Sequence, residues 1–237
     1  MSFKLSDIHT VFFDADDTLF TLRSSIGEIY REVAKPFGVD FDADHLNEIV
    51  LDVWLSVRPE YLNEHEDYRT SPEHEKEFWL SFVDKFIGKF SKDPELHLAL
   101  YDEFAFARSR VLLDGVENCL DFLDKQGVKI GIISNNDDRI TSVVDDMGLS
   151  HRFSHILPTT SLGYKKPSKN CYDLASQRVG VEPSKLLYVG DNIELDYHGA
   201  RGAGWTSILM NWRERDLDSS ILSVNSYAQL LELFKRH

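Results

Sequence analysis

Apolar and polar positions along this chain follow two different patterns. Residues 1–20 and 112–237 hold short apolar runs, typical of buried strands, that alternate with stretches of helical periodicity. Residues 21–111 have apolar side chains at helical spacing only; Gly38 is a predicted helix stop there, and Pro59 is expected to end or bend a helix. Because strands that alternate with helices form parallel sheets, the pattern predicts an α/β core with four helices inserted after its first strand.

The alternation of strands and helices continues to the end of the chain. Strands are predicted at residues 9–13, 128–133, 155–157, 186–189 and 206–210, and helices at 116–125, 139–147, 167–179 and 227–235, with a short one around Gly199. We therefore expect a core domain made of residues 1–20 and 112–237. Residues 21–111 are expected to form a helical cap domain over the loop that follows the first strand.

Three acidic residues follow the first predicted strand within four positions. The apolar run Val11–Phe13 ends in Asp14, Asp16 and Asp17, which places the carboxylates at the edge where open α/β sheets bind ligands. Carboxylates so close together repel one another unless a cation lies among them, and ligands that are all oxygens suit Mg²⁺. The alternative is an Asp-rich turn, since Asp caps helices and tolerates tight turns. This stretch alone leaves both interpretations open.

Further polar residues occur at the ends of later elements. Ser134 and Asn135 follow the second predicted strand of the core, Lys165 and Lys166 precede a helix, and Asp191 follows a later strand. Taken singly, Ser134 could cap a helix, either lysine could be a solvated surface residue, and Asp191 could belong to a turn. Because these strands can share one sheet, their joint occurrence favours one site that combines acids, a hydroxyl and a lysine.

Charge and cysteine content narrow the range of partners and compartments. The chain has 40 Asp and Glu against 26 Lys and Arg, a formal net charge of −14 and a pI near 5.0. Nucleic-acid polymers need a basic face, so we expect no such partner, whereas a small anionic substrate is compatible with a metal and a few lysines. Cys119 and Cys171 are far apart and in no metal-ligand pattern, and the first five residues lack an apolar leader. We therefore expect reduced thiols, no membrane span and a cytoplasmic location.

Four short motifs together resemble the signature motifs of the haloacid dehalogenase (HAD) superfamily. They are, in the same order and spacing, Asp14-Ala15-Asp16-Asp17-Thr18, Ser134, Lys166-Pro167 and Gly190-Asp191-Asn192-Ile193-Glu194-Leu195-Asp196. The resemblance covers the whole chain and implies a Rossmann-like α/β core with an inserted helical-bundle cap of the C1 type. Within the superfamily the chain is most similar to bacterial house-cleaning nucleoside 5′-monophosphatases and to eukaryotic HAD-like hydrolase-domain proteins. Asp17 stands where many family phosphatases carry Gly, and the nucleotidase-like branch also has an acid there.

The resemblance implies phosphoryl transfer through an aspartyl-phosphate. Asp14 would be the nucleophile, and a carboxylate suits this role because it is already ionised at neutral pH. Asp16 would act as the general acid that protonates the leaving alkoxide and then as the base that activates water. Mg²⁺ would be held by an Asp14 oxygen, the main-chain carbonyl of Asp16 and Asp191. Asp196 would lie behind them and orient the metal site or the lysine.

The remaining motif residues would hold the phosphoryl group. By the same resemblance, the Ser134 hydroxyl and the main-chain amide of Asn135 would bind its oxygens, and Thr18 would also touch phosphate. Lys166 would balance the charge of the nucleophile and the phosphoryl group. We prefer Lys166 to Lys165 for this role because it directly precedes the proline.

Four functions were compared on this basis. The preferred one is a Mg²⁺-dependent phosphatase for a small phosphorylated metabolite, with a nucleoside 5′-monophosphate as the leading candidate by resemblance only. Haloacid dehalogenation is disfavoured, because the family's dehalogenases need no metal and lack the second Asp of the opening motif, here Asp16. A phosphosugar mutase would use the same residues, so the motifs do not exclude it. A catalytically silent binding protein is expected to have lost Asp14, Asp16, Lys166 or Asp191, and all four are present.

Overall fold

The main sheet has six strands, and every neighbouring pair in it is parallel. A computed structural model describes residues 4–236, so residues 1–3 and 237 of the predicted core lie outside the described part. The strands are β1 (Thr10–Phe13), β2 (Phe20–Leu22), β3 (Arg110–Leu112), β4 (Lys129–Ser134), β5 (His155–Pro158), β6 (Leu186–Gly190), β7 (Thr206–Met210) and β8 (Ser223–Val224). The order in the main sheet is β5-β4-β1-β6-β7-β8, while β2 and β3 form a separate antiparallel pair. The predicted parallel α/β fold is confirmed, with β1 at its centre.

The helices are α1 (Ile26–Ala34), α2 (Ala43–Leu62), α3 (Pro72–Ile87), α4 (Pro94–Asp102), α5 (Val116–Lys125), α6 (Arg139–Asp146), α7 (Thr159–Leu162), α8 (Lys169–Val179), α9 (Gly199–Gly202) and α10 (Tyr227–Arg236), with a π-helical turn at Ile193–His198 before α9. Those that follow β3 in the chain cover both faces of the main sheet. Val11 and Phe13 of β1 pack on one face among side chains of α5, α6 and α10. Phe12, between them, packs on the opposite face with α8 and α9. This alternation follows from the pleat of a strand that is buried on both sides.

Helices α1 to α4 pack around a hydrophobic cluster of their own. The buried and partly buried members of this cluster all come from residues 26–104, and aromatic side chains such as Tyr30, Phe82 and Phe86 are among them. The chain enters and leaves this region through β2 and β3, so the predicted boundaries near residues 20 and 112 fall on these two strands. From here on, core means residues 4–20 and 112–236, and cap means residues 21–111.

Each cap helix begins at a side chain that satisfies a free N–H group of its first turn. Ser25, Asp42, Ser71 and Asp93 are the N-caps of α1 to α4, and each accepts a hydrogen bond from an amide two or three residues further on. Because such caps stabilise a helix by about 1 kcal/mol each, four of them fix where the cap helices start. Within residues 4–236, none of the helices is both long and apolar enough to cross a bilayer.

The structure differs from the predicted elements in three places. Helix α2 continues past Pro59 to Leu62, so the proline does not end it; Asn63, in the left-handed conformation, closes it instead by donating its amide to the Pro59 carbonyl. Helix α8 begins at Lys169 rather than at residue 167, because the Ser168 side chain caps it. Strands β2, β3 and β8 were not predicted, since two or three residues are too few to show a strand period.

Candidate active site at the carboxyl edge of the sheet

Three neighbouring strands bring the predicted catalytic residues together. Asp14 directly follows β1, and its amide donates a hydrogen bond of 2.9 Å to the carbonyl of Val189 in β6. Ser134 ends β4 on one side of β1, and Asp191 follows β6 on the other. All three therefore meet at the carboxyl edge, where the sequence placed them.

Lys166 is the centre of a buried hydrogen-bond network behind the acidic loop. Its ammonium donates to Asp14 Oδ1 at 2.7 Å, to Asp196 Oδ1 at 2.6 Å and to the Tyr188 hydroxyl at 2.9 Å. The Tyr188 hydroxyl in turn donates to the carbonyl of Ile133 at 2.6 Å. A lysine ammonium has three protons, and here each has a partner. Tyr188 was not predicted as part of the site, because nothing in an apolar strand marks one ring as polar-facing.

Asp196 is a positioning residue in this arrangement. Its second oxygen, Oδ2, accepts the main-chain amide of Asn192 at 3.0 Å, while Oδ1 holds Lys166. Both oxygens are thus used inside the protein. The carboxylate fixes Lys166 against Asp14, which is the orienting role that the resemblance implied for it.

The site holds more negative charge than its own cation can balance. Oxygens of Asp14, Asp191 and Asp196 lie within 4.8 Å of one another, and Lys166 is the cation bonded to two of them. Burial raises the pKa of Asp14 to about 8, against the pull of Lys166, and the carboxylates of Asp196 and Asp191 add to the rise. Burial and Asp196 likewise raise the pKa of Asp191 to about 7. For Lys166, burial opposes the charge, but Asp14 and Asp196 outweigh it and raise its pKa well above the usual value.

These carboxylates fit a hard divalent cation. Three acidic groups with one ammonium leave an excess of two negative charges if all are ionised, which is the charge that Mg²⁺ would offset. Asp14 has one oxygen engaged by Lys166, and Asp191 is half-buried beside it. Asp14 and Asp191 are therefore the side chains that would hold the ion, while each oxygen of Asp196 already accepts a hydrogen bond from the protein. The participation of the Asp16 carbonyl stays a prediction.

Asp16 is held by an arginine that comes from the cap side of the chain. Its Oδ1 accepts Arg110 Nε at 3.1 Å and its Oδ2 accepts Asn136 Nδ2 at 3.4 Å, and 46% of its side chain is exposed. Arg110 is itself buried and donates to the Phe104 carbonyl at 3.0 Å and to Ser109 Oγ at 3.2 Å. Asp16 therefore faces the space between cap and core in a fixed orientation. Sequence analysis missed Arg110, which is 94 positions away and reaches Asp16 through the β2–β3 pair.

Asp17 adopts a backbone conformation that favours glycine. Its φ is 57°, in the left-handed region, where Asp is tolerated better than most side chains. Its carboxylate accepts the Thr21 hydroxyl at 2.7 Å. This conformation gives a physical reason why glycine is acceptable at this position in similar sequences, and why an acid can replace it.

The residues predicted to bind phosphate are Thr18, Ser134 and Asn135, and the side chain of Asn135 makes contacts that were not predicted. Ser134 and Thr18 are buried, and Thr18 Oγ1 has no hydrogen-bond partner among the described residues. The Asn135 side chain donates to the Lys166 carbonyl at 3.0 Å and accepts the Lys166 amide at 2.8 Å. It therefore ties the loop after β4 to the lysine loop. The role predicted for its main-chain amide is a separate one and stays a prediction.

Lys165 points into the cap rather than into the site. Its ammonium lies 2.5 Å from Glu75 Oε1 and 3.5 Å from the centre of the Tyr61 ring, and it also donates to the Tyr61 carbonyl. The Tyr61 hydroxyl donates to the Asn135 carbonyl at 3.0 Å. The structure thus places Lys166, not Lys165, against Asp14, and uses Lys165 to join core and cap.

The chain belongs to the haloacid dehalogenase-like hydrolases, as the motifs indicated. A family model described by that name matches residues 8–204. The haloacid dehalogenase-like hydrolase domain-containing protein 3 of Bos taurus is 26% identical over 202 residues, which cover 83% of this chain and 79% of the bovine protein. A glyceraldehyde 3-phosphate phosphatase of Methanopyrus kandleri is 25% identical over 213 residues, covering 85% of this chain and 83% of the archaeal protein.

Solved structures show the same fold over nearly the whole chain. The HAD-hydrolase YfnB of Bacillus subtilis, solved bound to magnesium, superposes with a TM-score of 0.72 at 18% identity, covering 96% of this chain and 98% of YfnB. L-2-haloacid dehalogenases, at 16 to 22% identity, are also among the similar structures. At these identities the likeness establishes the fold and leaves the reaction open.

Proposed function

We propose that this hydrolase is a Mg²⁺-dependent phosphatase that cleaves small phosphate monoesters through an aspartyl-phosphate. The observation that carries the proposal is the position of Asp14, which is bonded to Lys166 at 2.7 Å and lies beside Asp191 and Asp196 in a cluster of three carboxylates. When bound, Mg²⁺ would offset the negative charge of Asp14, Asp191 and the phosphoryl oxygens. The name of the Methanopyrus kandleri relative supports phosphatase chemistry in proteins of this kind.

The proposed reaction has two steps. In the first, the Asp14 carboxylate attacks phosphorus, the bond from phosphorus to the alcohol oxygen breaks, and Asp16 gives its proton to the leaving alkoxide. In the second, water attacks the same phosphorus, passes a proton to Asp16, and the Asp14–phosphorus bond breaks to release inorganic phosphate. Lys166 stays charged throughout and balances the carboxylate, while Ser134 and the amide of Asn135 bind phosphoryl oxygens.

Cleavage of a haloacid fits this site less well. The cluster of Asp14, Asp191 and Asp196 has one bonded ammonium, and an excess of buried negative charge disfavours a carboxylate substrate without a metal. A nucleoside 5′-monophosphate remains the leading substrate candidate by resemblance alone. We also propose a cytoplasmic location, for which the free and buried state of Cys119 and Cys171 is the support.

The test is release of inorganic phosphate from a panel of monoesters by the purified protein, with Mg²⁺ and with EDTA. The panel spans nucleoside monophosphates, sugar phosphates and short organic-acid phosphates. We expect release that needs Mg²⁺ and is abolished by Asp14→Asn, which keeps the size of the side chain. Release that persists in EDTA, or in Asp14→Asn, would contradict the proposal. Retention of the phosphoryl group on a rearranged product would indicate a mutase.

A further inference from the structure

A partly enclosed cavity between cap and core extends the candidate active site beyond the acidic loop. It is a cavity of about 630 Å³, and Asp16, Asn135 and Asn136 form its core end. Because Asp16 is the proposed proton donor to the leaving alkoxide, whatever leaves the phosphorus enters this cavity. The residues that line the cavity therefore indicate which kind of leaving group the site accepts.

Rings make up most of the cap side of this cavity. The aromatic lining residues are Tyr30, Trp54, Trp79, Phe82, Tyr101 and Phe104. Packing fixes their positions: Trp54 and Trp79 stack with their planes 4° apart and centroids 5.9 Å apart, and Trp79 meets Phe82 edge-on at 5.6 Å. These rings are therefore ordered before a ligand binds, so the binding of a further ring costs little conformational entropy.

Several polar atoms of the wall are already used inside the protein. Trp79 Nε1 donates to Glu75 at 3.1 Å, and the Tyr101 hydroxyl donates to Asp137 at 3.2 Å. Arg139 donates from Nε to Asp137 at 2.8 Å and from Nη1 to the Tyr101 carbonyl at 2.8 Å. A sugar alcohol that placed several hydroxyls against this wall would lose bonds to water without replacing them.

The charged residues around the cavity leave no excess of positive charge. Asp16 and Asp17 contribute two negative charges, and Arg110 and Arg139 contribute two positive ones. Arg110 is paired with Asp16, and Arg139 with Asp137. Because both arginines already have carboxylate partners, a second phosphate or a carboxylate on the substrate would find no unpaired positive charge to bind, so an uncharged, apolar leaving group fits this lining better.

We propose that the cap cavity selects phosphate monoesters whose alcohol carries an uncharged aromatic or similarly flat apolar body, which lies against the Trp54–Trp79 wall. This inference rests on the proposed phosphatase function for the identity of the phosphoryl end. It goes beyond that function by assigning the leaving-group class and by setting small polyhydroxy phosphates apart as poor substrates.

The test compares 2-phenylethyl phosphate with glycerol 3-phosphate, both esters of primary alcohols, so that the alkoxides leave with similar difficulty. We expect kcat/KM to favour the phenylethyl ester by about tenfold or more, mostly through KM, because the ring is buried in both ground and transition states. Trp54→Ala should reduce this preference several-fold, and Trp54→Phe should retain most of it. Leu55→Ala, on the same helix but 55% exposed, is the matched control and should leave the preference unchanged.

A binding experiment separates this inference from the proposed function. The phosphonate analogues of the two esters cannot be hydrolysed, and their dissociation constants are measured by calorimetry with Mg²⁺ present. Tighter binding of the phenyl phosphonate, lost in Trp54→Ala, supports the cavity assignment even if neither ester is cleaved. Equal affinity for the two phosphonates, equal kcat/KM for the two esters, or a preference that survives Trp54→Ala would overturn it.

Discussion

Lys165 and Lys166 are adjacent in the chain and both buried, but they bond to different parts of the protein. Lys166 lies in the core against Asp14 and Asp196, in a group where carboxylates outnumber the ammonium. Lys165 reaches into the cap, where Glu75 is its ion-pair partner and the Tyr61 ring lies under it. The Glu75 carboxylate also accepts a hydrogen bond from the Thr70 hydroxyl at 3.0 Å. The pair of Lys165 and Glu75 is therefore electrically neutral, and its polar groups have partners inside the protein.

The two hydrogen-bond networks differ in whether the charges around the lysine are balanced. Around Lys165 the charges match one to one, and the donors and acceptors satisfy one another, which is typical of a structural contact. Around Lys166 the carboxylates outnumber the ammonium, and burial raises the pKa of Asp14 to about 8, so a further cation is needed to keep this group ionised at neutral pH. A buried site in which carboxylates outnumber cations is one that would bind Mg²⁺ and, through it, a phosphoryl group. Charge balance therefore separates Lys166, for which we propose a role in catalysis, from Lys165, which joins cap and core, although both are buried and adjacent.

The largest expected effect comes from Lys166→Met. This change removes the ammonium from Asp14 and Asp196 and leaves the phosphoryl group without its balancing charge, so kcat should fall by about 10³-fold or more. The measurement is phosphate release at saturating Mg²⁺. Lys165→Met serves as the comparison, since it removes the same charge one residue away. Equal losses of kcat in the two variants would remove the distinction between the lysines.

Lys165→Met should instead act on stability. It leaves Glu75 buried without its cation, so we expect unfolding in urea to become easier by about 3 kcal/mol. The double variant Lys165→Met/Glu75→Gln removes both charges while the amide oxygen can still accept from Trp79, and it should recover at least half of the loss. If the double variant is no more stable than the single one, the pair is not the reason for the loss.

Asp191→Asn tests whether the carboxylates around Lys166 bind Mg²⁺. With one carboxylate fewer beside Asp14, the Mg²⁺ concentration needed for half-maximal activity should rise at least about tenfold. Asp173→Asn, which removes a surface carboxylate paired with Lys169, is the control and should leave that concentration unchanged. An unaltered Mg²⁺ dependence in Asp191→Asn would take Asp191 out of the metal site.

The smallest effect is expected from Tyr61→Phe. The ring under Lys165 remains, but the hydroxyl that donates to the Asn135 carbonyl at 3.0 Å is lost. We expect a loss of stability of about 1 kcal/mol in the same urea experiment, smaller than that of Lys165→Met. A loss as large as that of Lys165→Met would show that the hydroxyl, rather than the ion pair, joins cap and core.

The position of the site at the sheet edge could be predicted from the sequence, because a parallel sheet brings the carboxyl ends of its strands to one edge. Once β1, β4 and β6 are neighbours, the residues at their carboxyl ends must meet, and Asp14, Ser134 and Asp191 are those residues. The choice of Lys166 over Lys165 rested on resemblance to the family. The structure gives its physical basis in the opposite directions of the two side chains.

Contacts between cap and core could not be anticipated in the same way. Helical periodicity shows which face of a helix is apolar, but it does not show how four helices sit on a sheet. The ion pair of Arg110 with Asp16 and the bond from Tyr61 to Asn135 depend on that placement. Pro59 was expected to end or bend its helix, yet α2 continues to Leu62, although proline has no amide to bond the carbonyl four residues earlier.

The most direct test of the central claim is to trap the covalent intermediate on Asp14. The protein is mixed with a cleaved monoester and Mg²⁺, quenched in acid during turnover, and treated with borohydride, which reduces an acyl-phosphate to the alcohol. Peptide mass mapping should then find homoserine at position 14 and nowhere else, and none without substrate. Rapid phosphate release with an unmodified Asp14, or reduction at another carboxylate, would contradict the account.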